Sequence, residues 1–163
     1  ANYLEALVAP ADSRRRHEVR AATRTARTNA QASIDRMLAE PGTPAVLAEL
    51  AETLYANGNR LARTAMALES LIDVGDVPEA WPQVGAFIHE AATALRAQAE
   101  ALTRAEAIAM PPALREHQRT LVESLAREKD RGFAEAVARL TDRLTDNVDT
   151  IAHVVNRRSS APA

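Results

Sequence analysis

Glycine and proline are so sparse in this chain, five and eight in 163 residues, that they leave long blocks in which apolar residues recur every three or four positions. That period belongs to the α-helix, since residues so spaced share one face. Punctuation falls at Pro10, at Pro41-Gly42-Thr43-Pro44, between Gly75 and Pro82, and at Pro111-Pro112, and divides the chain into four blocks. The first starts at an Asp12 or Ser13 cap and stops before Pro41. The second takes Thr43 as cap and Pro44 as its first turn, with Leu47, Leu50, Leu54, Leu61, Ala65, Leu68 and Ile72 as a single seam. The third begins between Asp76 and Pro82 and carries Trp81, Val84, Ile88, Ala91, Leu95 and Leu102 on one face, widened by Phe87 and Ile108. The fourth runs from Pro112 to about Asn156, buries Leu114, Leu121, Leu125, Phe133, Val137, Leu140, Leu144, Val148, Ile151 and Val155, and slips near Lys129-Asp130-Arg131-Gly132. A kink or short break is expected there, with Asp130 capping the resumed helix. Asn2 to Ala9 read as a short leading helix.

Short connections between helices of similar length favour antiparallel neighbours. The expected fold is therefore all-α, an elongated antiparallel bundle of four to five long helices running up-down-up-down. One domain is expected over residues 1–157, followed by a disordered tail at 158–163. Alanine supplies 36 residues and aromatics only five, so the core must be thin and the helix axes close. The longest stretch without a charge, Ala80 to His89, is about half of the ~20 apolar residues a membrane span needs. The chain opens on Ala1 with no signal-peptide pattern behind it and reads as a fragment of a longer protein.

Reactive chemistry is not indicated. There is no cysteine, which removes thiolate ligands and nucleophiles. The histidines His17, His89, His117 and His153 lack the second histidine four residues on that a zincin needs, and none follows a glutamate at the Glu-x-x-His spacing of di-iron bundles. No glycine pair makes a phosphate loop, and no serine sits in a nucleophile elbow. Asp149 and His153, one turn apart, read as a surface contact. The pairs Glu100/Arg104, Glu123/Arg127 and Glu135/Arg139 have the i, i+4 spacing of exposed helix faces. The expectation is a protein that is not an enzyme, with no catalytic residue, no metal site and no cofactor. Asn57 and Gln98 occupy seam positions, where they either set helix register or line a small cavity; register is the preferred reading. Tyr55, Trp81 and Phe87 are core filler or, alternatively, the wall of a ligand pocket.

Charge is distributed unevenly although the sum is only −2. From Ser13 to Ile34 six arginines face one glutamate, whereas Thr64 to Leu95 hold five acids and no lysine or arginine. Arg14, Arg15, Arg16, Arg20, Arg24 and Arg27 form a basic stripe. It is either a solvated face partly paired with acids on a neighbouring helix, or a surface for anionic lipid headgroups or a partner. Nucleic acid is not the expected partner of a slightly acidic chain with few aromatics.

Overlapping this stripe, the segment from Arg20 to Pro41 resembles the fusaric acid resistance-like (FUSC) family of bacterial membrane proteins. The matching residues are Ala26, Arg27, Asn29, Ala30, Ser33, Asp35, Arg36, Glu40 and Pro41, with a second match from Arg60 to Leu71. The resemblance implies inner-membrane proteins linked to efflux of aromatic acids, built from transmembrane blocks and cytoplasmic helical domains. This chain would be one of those domains, on the cytoplasmic side of the bacterial inner membrane. Its role would be assembly or regulation, with Asn29 and Asp35 as hydrogen-bonding partners between helices. Its partners would be the membrane-embedded part of the parent protein, anionic headgroups and a second copy of itself. The alternative is a free-standing small-molecule-binding bundle of sensor type, with its pocket near Tyr55, Trp81 and Phe87.

Overall fold

The computed structural model describes residues 1–9, 13–72, 81–104, 106–108 and 113–159. Among them are six helices and no strand: α1 (Asn2–Val8), α2 (Ser13–Ala39), α3 (Ala45–Ile72), α4 (Trp81–Arg104), α5 (Ala113–Leu125) and α6 (Arg131–Ser159). No helix is long and apolar enough to cross a membrane among these residues. The chain is all-α as expected, with six helices instead of four to five because the fourth block divides. The division comes where glycine and aspartate fall together. Asp130 Oδ1 accepts from the Phe133 N–H at 3.0 Å, so it caps α6 after a five-residue turn. The Asp12 cap and the prolines at 10, 111 and 112 lie outside the described residues, as does 160–163. Arg158 and Ser159, expected in the tail, belong to α6.

The turn joining α2 to α3 differs from the expected one. α3 begins at Ala45, and Thr43 does not cap it; the Thr43 hydroxyl turns back and donates to the Met37 carbonyl at 2.6 Å, satisfying the end of α2. Gly42 takes φ +93°, which a side-chain-bearing residue adopts only under strain.

Among the described residues, consecutive helices pack on each other except α3 and α4. α3 packs most extensively on α6. The two are antiparallel: Leu68 near the end of α3 meets Phe133 and Val137 at the start of α6, and Leu47 and Leu50 meet Val154 and Arg157 at the other end. α4 runs parallel to α6, with Val84 beside Val137 and Gln98 Nε2 donating to the Val148 carbonyl at 2.9 Å. α5 descends between them, and Arg115 near its start reaches Asp146 at 2.5 Å and Asp149 at 3.0 Å on α6. Hydrogen bonds to Asp146 and then Asp149 hold the Arg115 guanidinium pKa above its ordinary value. Ile108, expected on the face of the third block, lies beyond the helix. The Asn156 side chain clamps its backbone, accepting from its N–H at 2.6 Å and donating to its carbonyl at 3.2 Å.

The core is built from one side of each of α1, α4, α5 and α6 and from the second half of α3. Leu4, Phe87, Ile88, Leu114, Leu121, Leu144 and Val148 are buried in it. Each such side chain stabilises the fold by roughly 1.5–3 kcal/mol. α1 wedges against α2, α3 and α4. α2 is different: none of its described side chains is buried. It carries arginine, threonine and alanine where the other helices carry leucine, and touches only α1 and α3.

Candidate functional site

Because α2 has so little to bury, α2 and α3 meet along one edge only. That edge is polar. Arg27 Nε donates to Asn59 Oδ1 at 2.7 Å, and Arg20 Nη1 lies 3.5 Å from Glu69 Oε2. The buried Glu69 carboxylate also accepts from the Tyr3 hydroxyl at 2.7 Å, so one acid ties α1, α2 and α3 together. A guanidinium–amide rung spans more distance than two facing methyl groups. The alanines of α2 therefore stop short of the leucines of α3.

What remains is an open cleft of about 1030 Å³. On α2 its wall is Val19, Ala22, Ala26, Ala30 and Ile34; on α3 it is Ala51, Leu54, Gly58, Leu61 and Ala65; Tyr3 and Leu4 of α1 close one end. Of the α3 seam predicted to be buried, Ala65 and Leu68 are buried, Leu50, Leu54 and Leu61 are half-buried and Leu47 is exposed. The end wall is held by an ion pair between Glu5 of α1 and Arg96 of α4. The hydrogen bond from Arg96 keeps the Glu5 carboxyl below its ordinary pKa, and the same bond raises that of Arg96. Beside the Arg27 rung lies a smaller polar recess of about 420 Å³ bordered by Arg24, Thr28, Gln31, Asp35 and Tyr55.

The six stripe arginines are not one outward face. Arg20 and Arg27 turn into the seam. Arg14 pairs with Glu18 of its own helix at 3.1 Å, Arg15 and Arg24 are exposed, and Arg16 is half-buried. Tyr55, Trp81 and Phe87 do not come together. Tyr55 borders the cleft, Phe87 is fully buried in the core, and Trp81 packs over Leu7, Leu68 and Phe133. Leu68 lies thirteen residues beyond Tyr55, about 20 Å along α3.

Asp35 accepts from Gln31 of its own helix at 2.6 Å, and Asn29 is exposed, so neither links helices as expected. Asn59, Glu69 and Tyr3 take that part. The signals were present: Asn59 follows Asn57 in an Asn-Gly-Asn run, and Glu69 lies in the acidic stretch complementary to the arginine cluster. Asn57 bonds to Thr53 within α3 at 2.8 Å, whereas Gln98 crosses to α6. Asp149 is engaged by Arg115. Glu100/Arg104 and Glu135/Arg139 pair at 3.4 and 3.7 Å. Among the described residues no three histidine, aspartate or glutamate side chains converge where a metal ion would sit.

Comparison of the chain with models of protein families, with curated proteins and with solved structures finds no match in any of the three.

Proposed function

We propose that this chain is a non-catalytic helical domain of a FUSC-like aromatic-acid efflux protein, standing on the cytoplasmic side of the bacterial inner membrane and serving assembly or regulation of the membrane part. The observation that carries this reading is α2 itself: a 27-residue helix that buries no described side chain and holds open an apolar cleft against α3. A helix of that kind has a surface to offer a partner. The Arg20-to-Pro41 segment behind the family resemblance falls on this helix as far as Ala39, and Ala26, Arg27, Ala30 and Ser33 of the matched residues line the cleft. In this reading the helices form an elongated up-down-up-down bundle with the α2–α3 hairpin as its outward edge, and Arg16 and Arg24 approach anionic headgroups.

Two measurements test it. The parent reading frame should encode apolar stretches of about 20 residues outside this segment; a frame without them removes the family reading. Replacing Arg16 and Arg24 by Glu should abolish co-sedimentation with phosphatidylglycerol vesicles at low salt, and unchanged binding would remove the headgroup contact. Arg20 is left intact because it neutralises Glu69.

A second reading is favoured by the size of the cleft, which reaches the range of small-molecule sites, and by Arg27 and Tyr55 at its edge. A sensor-type bundle would show a rise in melting temperature with millimolar aromatic carboxylates, by mass action on the native state. No shift would eliminate it.

A further inference from the structure

The cleft face of α2 and α3 is an apolar groove with a charge pattern along its rim, and that pattern names an occupant. We propose that it is covered by the same face of a second copy of this chain, α2 against α2 in antiparallel sense about a two-fold axis beside Arg27. This rests on the assembly reading of the same surface and specifies the partner.

Three observations carry the proposal. The first is shape. Ala22, Ala26 and Ala30 form an exposed row along α2, and alanine lets helix axes approach to the short end of the 8–10 Å packing range. The cleft runs from Val19 to Ile34, about 22 Å at 1.5 Å per residue.

The second is charge. Glu18 lies nine residues before Arg27 and Arg36 nine after. An antiparallel two-fold at Arg27 therefore sets Glu18 opposite the second copy's Arg36, twice by symmetry. Glu18 and Arg36 also share the rim of the groove away from α3, by the 100° advance per residue. A parallel arrangement would instead stack the Arg14-Arg15-Arg16 clusters on each other, which like-charge repulsion opposes.

The third is area. α2 is about 40 Å long, and two helices side by side are about 20 Å wide, so the hairpin face presents on the order of 800 Å² per protomer. Stable protein interfaces bury about that much on each partner. Self-association is also compatible with the small net charge of −2.

The test is light scattering coupled to size exclusion on the full chain between about 5 and 200 μM, within the range that distinguishes micromolar affinities. The expected result is a concentration-dependent dimer. Ala26→Glu places a charge at the centre of the groove on a surface position; it should hold the apparent mass at the monomer value at every concentration while leaving the helical circular dichroism unchanged. Glu18→Arg should weaken the dimer at least tenfold, and Glu18→Arg with Arg36→Glu should restore it, a rescue that loss of folding cannot imitate. A wild-type monomer at 200 μM overturns the proposal, including one that binds vesicles or small carboxylates instead. A dimer untouched by Ala26→Glu overturns it too, by placing the interface elsewhere. Neither outcome touches the family reading, which stands or falls on the parent reading frame.

Discussion

Tyr3, Glu69 and Arg20 show how a single buried carboxylate organises one end of the molecule. Glu69 is nine-tenths buried on α3 and keeps its charge satisfied through a phenol from α1 and a guanidinium from α2. Tyr3→Phe removes one of these partners without changing the apolar volume. It should cost about 1–2 kcal/mol, read as a lower urea midpoint with an unchanged slope. Gln98 presents the opposite case. Its Nε2 reaches the Val148 carbonyl, but its Oε1 is buried with no partner. Gln98→Leu keeps the volume and removes the stranded acceptor, so stability should hold or rise by up to about 1 kcal/mol. Gln98→Ala should lose about 2 kcal/mol or more to the cavity it opens. Equal losses for both variants would show that the hydrogen bond to α6 outweighs the unsatisfied oxygen. The seam position of Gln98 was legible from helical spacing; its partner was not, because spacing along α4 says nothing of which carbonyl lies across from it.

At the scale of elements, helix ends are set by local chemistry. Asp130 accepts the Phe133 N–H and starts α6, and Asp130→Ala should destabilise by about 1 kcal/mol. Gly42 takes a left-handed conformation with open space around its missing Cβ, so Gly42→Ala should lose about 1 kcal/mol to backbone strain alone. Thermal unfolding of the two variants checks both; an unperturbed Gly42→Ala would mean that the turn can relax. Asp130 was legible because a glycine and a capping residue coincide where the apolar spacing slips. The Thr43 role was not, since a threonine between two helices can serve either, and its hydroxyl joins the Glu40 N–H on the Met37 carbonyl.

At the scale of the whole molecule, α1 is the wedge that joins the loosely attached α2 to α3 and α4, and its outer fastening is the Glu5–Arg96 pair. The folded pKa of Glu5 lies below its ordinary value because Arg96 hydrogen-bonds the charged form. Its contribution is therefore complete above the ordinary carboxylate range and is lost as pH falls through the depressed folded value. The pair is partly exposed, so solvent screening keeps the effect small. Wild type and Glu5→Gln should converge in melting temperature as the pH is lowered below the ordinary carboxylate range; a constant gap would place the stabilisation elsewhere. The sequence by itself determined which stretches are helical and which side of α3, α4, α5 and α6 is apolar, because a 3.6-residue period needs only neighbours in the chain. It also marked α2 as poor in large apolar residues and rich in arginine. Only the tertiary structure decided that α3 pairs with α6, that Trp81 and Phe87 lie far from Tyr55, and that Arg20 and Arg27 turn inward to Glu69 and Asn59. Periodicity says that a face must be covered but not by what, and several alanine and leucine seams of similar width compete for each place. Packing and a few polar rungs chose among them, and left the α2–α3 cleft open.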